Sequence, residues 1–353
     1  MDTIKLCILA PEFLPVWGGI GTYIVELVRH LPKNIEVHVV TPMREGFGEE
    51  KISTADYDLA EYFGDNVHVH FVCKATDTFI YNADFQFACL KHVPELVKKE
   101  NIDLIHSGSH MSNLLLELTS LNIPTVTTIH TTVRGQRHGA KMPGVKFWDL
   151  EFSEKATYLA YPFLNLAEII YFSRARYYIT VSEWMKRRLQ KQYPKMNHST
   201  ISVIHNSVDT KLFSPSIERN PLERDIILLT GRLIAAKGIK YLVEAVPEVL
   251  REYPETLFVC IGPGNSLPYV RRLKEMGVPE KNFAFLGYLK ERSELVKYYR
   301  ASTVYVAPTL YDNLPIRVLE AMACGVPVVA SNVCAIPEAI DNGVNGILIP
   351  PGS

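Results

Sequence analysis

The chain's 353 residues exceed what one ordinary core organises, so two domains are expected. A hydrophobic share of 47% with 21% charged residues describes a soluble globular protein, and 37 Lys and Arg against 38 Asp and Glu give a net charge of −1, which offers no electrostatic footing for nucleic acid. Six scattered cysteines (Cys7, Cys73, Cys89, Cys260, Cys324, Cys334) lack zinc-type or redox-type spacing and read as reduced residues of a cytoplasmic protein.

Residues 4–10 read as a buried strand, because the apolar run is too short for a signal peptide. No run approaches the ~20 apolar residues of a membrane span. The loop PEFLPVWGGIGTY and a helix over 22–31 follow. Strand, glycine-rich loop, helix is the order that turns backbone N–H groups toward an anion. Gly18, Gly19 and Gly21 would let that backbone approach a ligand, and a tight turn is the plainer reading. Strands are expected at 35–41 and 67–73, around a polar, irregular insertion over 44–65. A helix at 85–100, a strand at 103–106, a helix at 112–121 and a strand at 124–130 continue the alternation. Near-continuous apolar strands alternating with helices predict a parallel, doubly wound sheet, with ligands beyond the carboxyl ends of its strands. His106 and His130 fall at such ends. Either alone reads as structural; His130, set among Thr128, Thr131 and Thr132, is the better placed.

Residues 134–146 are basic (Arg134, Arg137, His138, Lys141, Lys146) and read as a loop, followed by Phe147, Trp148 and a long aromatic helical region over 158–178. The plain reading is a solvated loop before a core helix. The functional one is an acceptor-binding or membrane-facing edge, whose cations meet phosphate or anionic lipid. A strand at 179–181, a helix at 183–193 capped by Ser182 and carrying Lys186, Arg187 and Arg188, and a strand at 201–204 close a first domain, 1–204. Turn formers, prolines and charges mark 205–224 as a linker. The second domain, 225–353, alternates again: strand 226–230, loop 231–237, helix 238–253, strand 256–261 running into Gly262-Pro263-Gly264, helix 269–276, strand 283–286, helix 292–301 and strand 304–307. Two Rossmann-like domains facing across a cleft would suit a nucleotide-linked substrate and a second substrate.

The stretch 309–331, TLYDNLPIRVLEAMACGVPVVAS, carries two acids. Pro315 can open a helix, Gly325 can cap its end, and 326–330 reads as a strand. Asp312 and Glu320 are eight residues apart, about 800° of helical rotation, so on one helix they would face different ways. With Asp312 on the entry loop, both could reach one extended ligand. A capping Asp312 and a solvated Glu320 are the plain alternative. The small and apolar neighbours Leu319, Ala321, Met322 and Ala323 instead call for a dedicated partner for Glu320.

Taken together, VIHNSVDTKLFSP, LLTGRLIAAKGIKYLVEA, FLGYL and the stretch from Thr309 through IPEAIDNGVNGILIPPGS resemble retaining glycosyltransferases of family 4, which have the two-domain GT-B fold. GGIGTY, TTIHTT and TVSEWMKRRL are looser matches in the first half. The resemblance implies that Glu320 holds the ribose hydroxyls of a nucleotide-diphosphate sugar and Asp312 the transferred sugar. Arg232 and Lys237 would neutralise the diphosphate leaving group. His130 would lie near the transferred sugar, and Gly19 on a loop approaching phosphate or acceptor. Gly231 and the turn Asn313, Leu314, Pro315 and Ile316 would face the donor with backbone groups. It implies a sugar, lipid or polysaccharide-precursor acceptor and no cofactor beyond the donor substrate. No divalent-metal motif is evident, so metal independence is expected; the basic-aromatic edge leaves a peripheral membrane contact on the inner face open, and the net charge argues for no nucleic-acid partner.

Three departures qualify the match. Asp312 stands where the family usually has glutamate, one methylene longer. Leu314-Pro315 replaces a common Phe-Gly, and Pro315 cannot donate a backbone hydrogen bond. Family members continue past the position of Ser353 with helices returning to the first domain, so a truncated second domain is expected. Val16-Trp17-Gly18-Gly19 lacks the lysine of the glycogen-synthase branch's Lys-x-Gly-Gly loop. The rival readings are a nucleotide-sugar 2-epimerase of similar fold and a non-catalytic nucleotide-sugar-binding subunit.

Overall fold

A computed structural model describes residues 3–16, 18–45, 53–75, 81–110, 112–119, 121–139, 147, 150, 152–174, 177–196, 200–216 and 224–353. Trp17, Lys141, Lys146 and Trp148, and residues 217–223 of the expected linker, lie outside the described residues. Two compact units emerge, residues 1–134 with 156–205 and residues 135–155 with 206–353.

In the first unit β1 (Ile4–Leu9), α1 (Gly19–His30), β2 (Ile35–Arg44), α2 (Leu59–Phe63), β3 (Val67–Ala75), α3 (Tyr81–Glu100), β4 (Leu104–Ser107), α4 (Leu114–Glu117) and β5 (Thr125–Ile129) run in chain order. They are followed by α5 (Val133–Gly139), α6 (Phe152–Leu159), α7 (Tyr161–Arg174), β6 (Tyr177–Thr180), α8 (Glu183–Gln192) and β7 (Ile201–Val203), the division between the units in sequence falling within α5 and within α6. The seven strands pair in the order β3-β2-β1-β4-β5-β6-β7, all parallel. Alternate residues of β1 feed the two faces, Leu6 and Ile8 packing with Ile24 and Val25 of α1, Cys7 and Leu9 with Phe85 and Cys89 of α3. That two-sided burial is why the strands read as continuous apolar runs.

The second unit repeats the scheme with β8 (Ile226–Thr230), α9 (Ile239–Glu252), β9 (Leu257–Ile261), α10 (Leu267–Glu275), β10 (Phe283–Phe285), α11 (Arg292–Ala301), β11 (Val304–Ala307), α12 (Ile316–Ala323), β12 (Val328–Ser331) and β13 (Ile347–Ile349). Its parallel order is β10-β9-β8-β11-β12-β13. Leu228, Val259 and Ile261 pack with Tyr299 of α11 and Val318 of α12; Leu229, Phe258 and Cys260 pack with Leu242 and Val243 of α9. Two doubly wound α/β units are therefore present, as expected, and all six cysteines are free thiols.

Several local expectations need correction. The glycine-rich loop is shorter than expected: Gly18 is the N-cap of α1, and Gly19 and Gly21 already belong to its first turn. Residues 133–139 are helical, not a loop. The aromatic region is two helices, broken at Ala160 ahead of Pro162, and α7 is no core helix: Tyr171 and Phe172 are buried while Phe163, Leu166, Ile169 and Ile170 face solvent. Within the irregular insertion, Asp58 caps α2 by accepting from the N–H groups of Ala60 and Glu61. The edge strand β13 went unforeseen.

Candidate functional site

In the second unit, strand order reverses between β8 and β11, which leaves a crevice beyond their carboxyl ends. β8 ends at Thr230 and turns at Gly231, whose N–H donates to Ile261 O (2.8 Å). Arg232 follows, half-buried and without a side-chain hydrogen bond or ion pair to any described residue. A 3₁₀ turn over Ala235–Lys237 then brings the chain to Gly238, at φ 69°, which starts α9. After β11, the second loop is stitched to the first through one carbonyl: Ala236 O accepts from Thr309 Oγ1 and from Leu310 N–H, each at 2.8 Å. This stitch sets Lys237 beside Asp312, and the two form an ion pair.

Asp312 lies on a loop, as expected, for α12 begins only at Ile316. Pro315 is the N-cap and not the first helical residue. Asn206 Nδ2 donates to Leu314 O (2.7 Å) and Ala335 N–H to Asn313 O (3.1 Å), fixing the loop's path. The first N–H groups of α12 have no preceding turn to accept them, so this end of the helix presents partial positive charge.

Glu320, in α12, is fully buried. Its expected dedicated partner turns out to be three groups. Arg292 Nη2 donates to Oε1 (3.1 Å), and Arg317 Nη1 (2.8 Å) and the Tyr299 hydroxyl (2.9 Å) donate to Oε2. Burial, then the Glu320 charge, hold the Tyr299 phenol well above its usual range, so it stays a neutral donor. Thr230 Oγ1, at the end of β8, lies 2.8 Å from that phenol oxygen and ties the network to the crevice. Burial works against the Arg317 charge, and Glu320 and Tyr299 more than offset it, so the group titrates above its usual range. In this conformation Glu320 is out of solvent's reach.

In the first unit, His130 directly follows β5, and His106 sits near the end of β4. The two share neighbours: His106 Nε2 is 2.8 Å from Thr128 Oγ1, which is 3.1 Å from the Tyr23 hydroxyl, and the Tyr23 ring meets His130 edge-on at 4.7 Å. Burial pulls His106 down to about 4. Burial, and then the charges of His106 and His110, pull His130 to about 3, so both are neutral imidazoles at ordinary pH. A Cβ on Gly19 would meet nothing within 4 Å, so the start of α1 has open space beside it.

Sequence reasoning missed the group that sets the loop after His130. Glu168 of α7 is fully buried and accepts from Val133 N–H (2.8 Å) and from the Tyr193 hydroxyl, while His110 Nε2 lies 2.8 Å away. A lone acid inside an aromatic helical run was the available signal. Arg292 and Tyr299 were missed as well; Arg317, three residues before Glu320 on one helix, was legible as an i,i+3 partner.

Residues 17–212 match the model of Glycosyltransferase Family 4, and residues 224–353 that of Glycosyl transferases group 1. Among curated proteins the chain is 28% identical to an uncharacterized glycosyltransferase of Methanocaldococcus jannaschii, covering 99% of this chain and 85% of that protein. It is 24% identical to a UDP-Gal:alpha-D-GlcNAc-diphosphoundecaprenol alpha-1,3-galactosyltransferase of Escherichia coli, covering 98% and 84%. Among solved structures, sucrose-phosphate synthase from Thermosynechococcus elongatus superposes with a TM-score of 0.76 at 18% identity, over 99% of this chain and 86% of that one. The two-unit α/β architecture is that of GT-B glycosyltransferases.

Proposed function

The chain belongs to Glycosyltransferase Family 4 and is a hexosyltransferase using nucleotide-sugar donors, and from that premise we propose a retaining, metal-independent transfer onto a lipid-linked sugar acceptor. The observation that carries the donor half is Arg232: a half-buried guanidinium with no side-chain hydrogen bond or ion pair among the described residues, at the reversal between β8 and β11, one short turn from Lys237. Two cations and the amino end of α12 suit a diphosphate, whose charge grows as the glycosidic bond breaks. The departing phosphate accepts the acceptor's proton, so no side chain need act as a strong base. Asp312 addresses the hydroxyls of the sugar. Glu320 has three of its roughly four lone-pair sites filled, so it reaches the ribose through the remaining one, once Arg292 or Arg317 yields. Neutral His130 and the open start of α1 at Gly19 serve the sugar and the acceptor side.

The acceptor half rests on α7 and on the galactosyltransferase relative, whose name gives a diphosphoundecaprenol acceptor. Phe163 is 79% exposed and Leu166 57%, with Ile169 and Ile170 on the following turn. No described helix is long and apolar enough to cross a membrane, so this face would lie on the surface of the inner leaflet from the cytoplasmic side. The test is turnover of UDP- and GDP-sugars with a polyprenyl-diphosphate-sugar acceptor, by wild type and by Arg232→Ala. Turnover unchanged in Arg232→Ala removes the donor reading. Failure of the protein to sediment with anionic vesicles removes the membrane contact.

A further inference from the structure

A second cluster of ligand-type side chains lies at the other end of the first sheet. His38 of β2 and His68 of β3 are register partners on adjacent parallel strands, so their side chains leave the same face. Glu36, two residues before His38, shares that face. The three side chains converge: His38 Nε2 lies 3.1 Å and His68 Nε2 3.7 Å from Glu36 Oε1, and the three ligand atoms all fall within 4.8 Å of one another. Neighbouring ligands of tetrahedral zinc stand about 3.3 Å apart, given Zn–N and Zn–O bonds of about 2.0–2.1 Å. The observed spacings need only a small shift of His68, whose side chain is 46% exposed.

The surroundings resemble those of a ligand set. His38 is almost fully buried, and its second nitrogen, Nδ1, lies 3.1 Å from His70 Nε2, which orients the ring as outer partners of metal-bound imidazoles do. The exposed side of His68 supplies an entry path and a fourth position for water. One neighbour opposes: Lys5 Nζ sits 3.2 Å from Glu36 and competes for its carboxylate.

We propose that Glu36, His38 and His68 bind a zinc-class divalent cation, with His70 orienting His38 and Lys5 weakening the site. Two imidazoles and a carboxylate are a donor set that borderline cations prefer over magnesium or calcium. Because β3 is the outermost strand of the sheet, the ion clips that edge to β2. The site stands at the amino ends of the strands, apart from the carboxyl-end residues assigned to transfer, and does not depend on that assignment.

The experiment is calorimetric titration of the chelator-stripped full chain with zinc chloride, together with the visible spectrum of the cobalt-loaded protein. Wild type takes up zinc, melts at a higher temperature with it, and gives the intense spectrum of tetrahedral cobalt. His68→Ala, an exposed change, weakens binding at least about 100-fold, and His70→Ala about 10-fold or more. Lys5→Gln tightens binding several-fold. Absence of zinc uptake by wild type, or equal uptake by His68→Ala, overturns the proposal, as does a weak octahedral cobalt spectrum.

Discussion

Lys237 and Asp312, 75 residues apart in the chain, neutralise each other beyond the carboxyl ends of β8 and β11. The resemblance gave them separate partners, the diphosphate and the transferred sugar. The structure joins them in one ion pair, which under the proposed function an incoming donor would have to open. Reopening costs little: the side chains are 28% and 23% exposed, and partly solvated pairs of this kind contribute about 0–1 kcal/mol. Under the proposed function, Asp312 would hold Lys237 in place until a doubly charged diphosphate outcompetes it.

The first prediction separates the two. Lys237→Ala should lower kcat/KM roughly 100-fold, the loss of about 3 kcal/mol of charge stabilisation in the transition state, with stability changed by no more than about 1 kcal/mol. Asp312→Asn should bind free UDP or GDP more tightly than wild type, because Lys237 is released, while transferring sugar more slowly. Calorimetry and steady-state kinetics on both variants check this. Equal weakening of nucleotide binding by both changes would show that the pair acts only as a unit.

The second prediction concerns Glu320. Its removal takes the shared carboxylate from between Arg292 and Arg317, and from the Tyr299 hydroxyl one of its acceptors. Breaking a buried ionic network by deleting one partner costs about 3–5 kcal/mol, and the partial exposure of both arginines argues for the lower end. Glu320→Ala should therefore shift the urea midpoint strongly, whereas Glu320→Gln, which keeps one acceptor, should shift it less. Stability unchanged in Glu320→Ala would rule out the network as a support for α12. Activity of the variants is informative only under conditions where both are folded.

These two cases show where the sequence was legible. The strands were, because burial on both faces makes each a continuous apolar run, as in residues 226–230 and 257–261. Asp312 on a loop and Glu320 in a helix followed from turn formers and a Pro ahead of an apolar periodicity. Contacts across long separations were not legible. Nothing local marks Arg292 and Tyr299, 28 and 21 residues before Glu320, as its partners. Helix α5 was hidden for a related reason: Gly135 and Gly139 argue against a helix, yet Glu168, 35 residues on, accepts from Val133 N–H at its start. β13 escaped because its Ile347 is exposed and its three residues give no period to count.

The third prediction is a pH dependence with a definite sign. His106 and His130 sit at about 4 and about 3 in the folded chain, against about 6.5 when unfolded. Between these values the unfolded chain binds protons that the folded chain refuses. Stability is therefore complete above about pH 6.5 and falls on acidification, by up to about 1.4 kcal/mol per pH unit for each histidine. Urea midpoints should drop between about pH 6.5 and about pH 5, and His106→Gln, which keeps a polar group toward Thr128, should make that decline shallower. An unchanged slope in the variant would mean that His106 is not protonated on unfolding.

The fourth prediction tests the backbone that carries Lys237. Gly238 has φ 69°, and a Cβ there would fall 1.9 Å from Pro308 O, the carbonyl just before the loop that holds Asp312. A left-handed non-glycine residue alone costs about 1–2 kcal/mol; here a collision with rigid backbone adds to it. Relief requires the 235–238 turn and the Pro308 segment to move apart, which strains the bonds to the shared acceptor Ala236 O and the approach of Lys237 to Asp312. Gly238→Ala should therefore lose stability by more than about 2 kcal/mol and lose donor binding with it. Gly277→Ala is the control, since its φ is also positive, at 73°, but a Cβ there meets nothing within 4 Å. It should show only the backbone cost, with nucleotide affinity intact. Equal effects of the two alanines would mean that the close approach to Pro308 does not hold the crevice together.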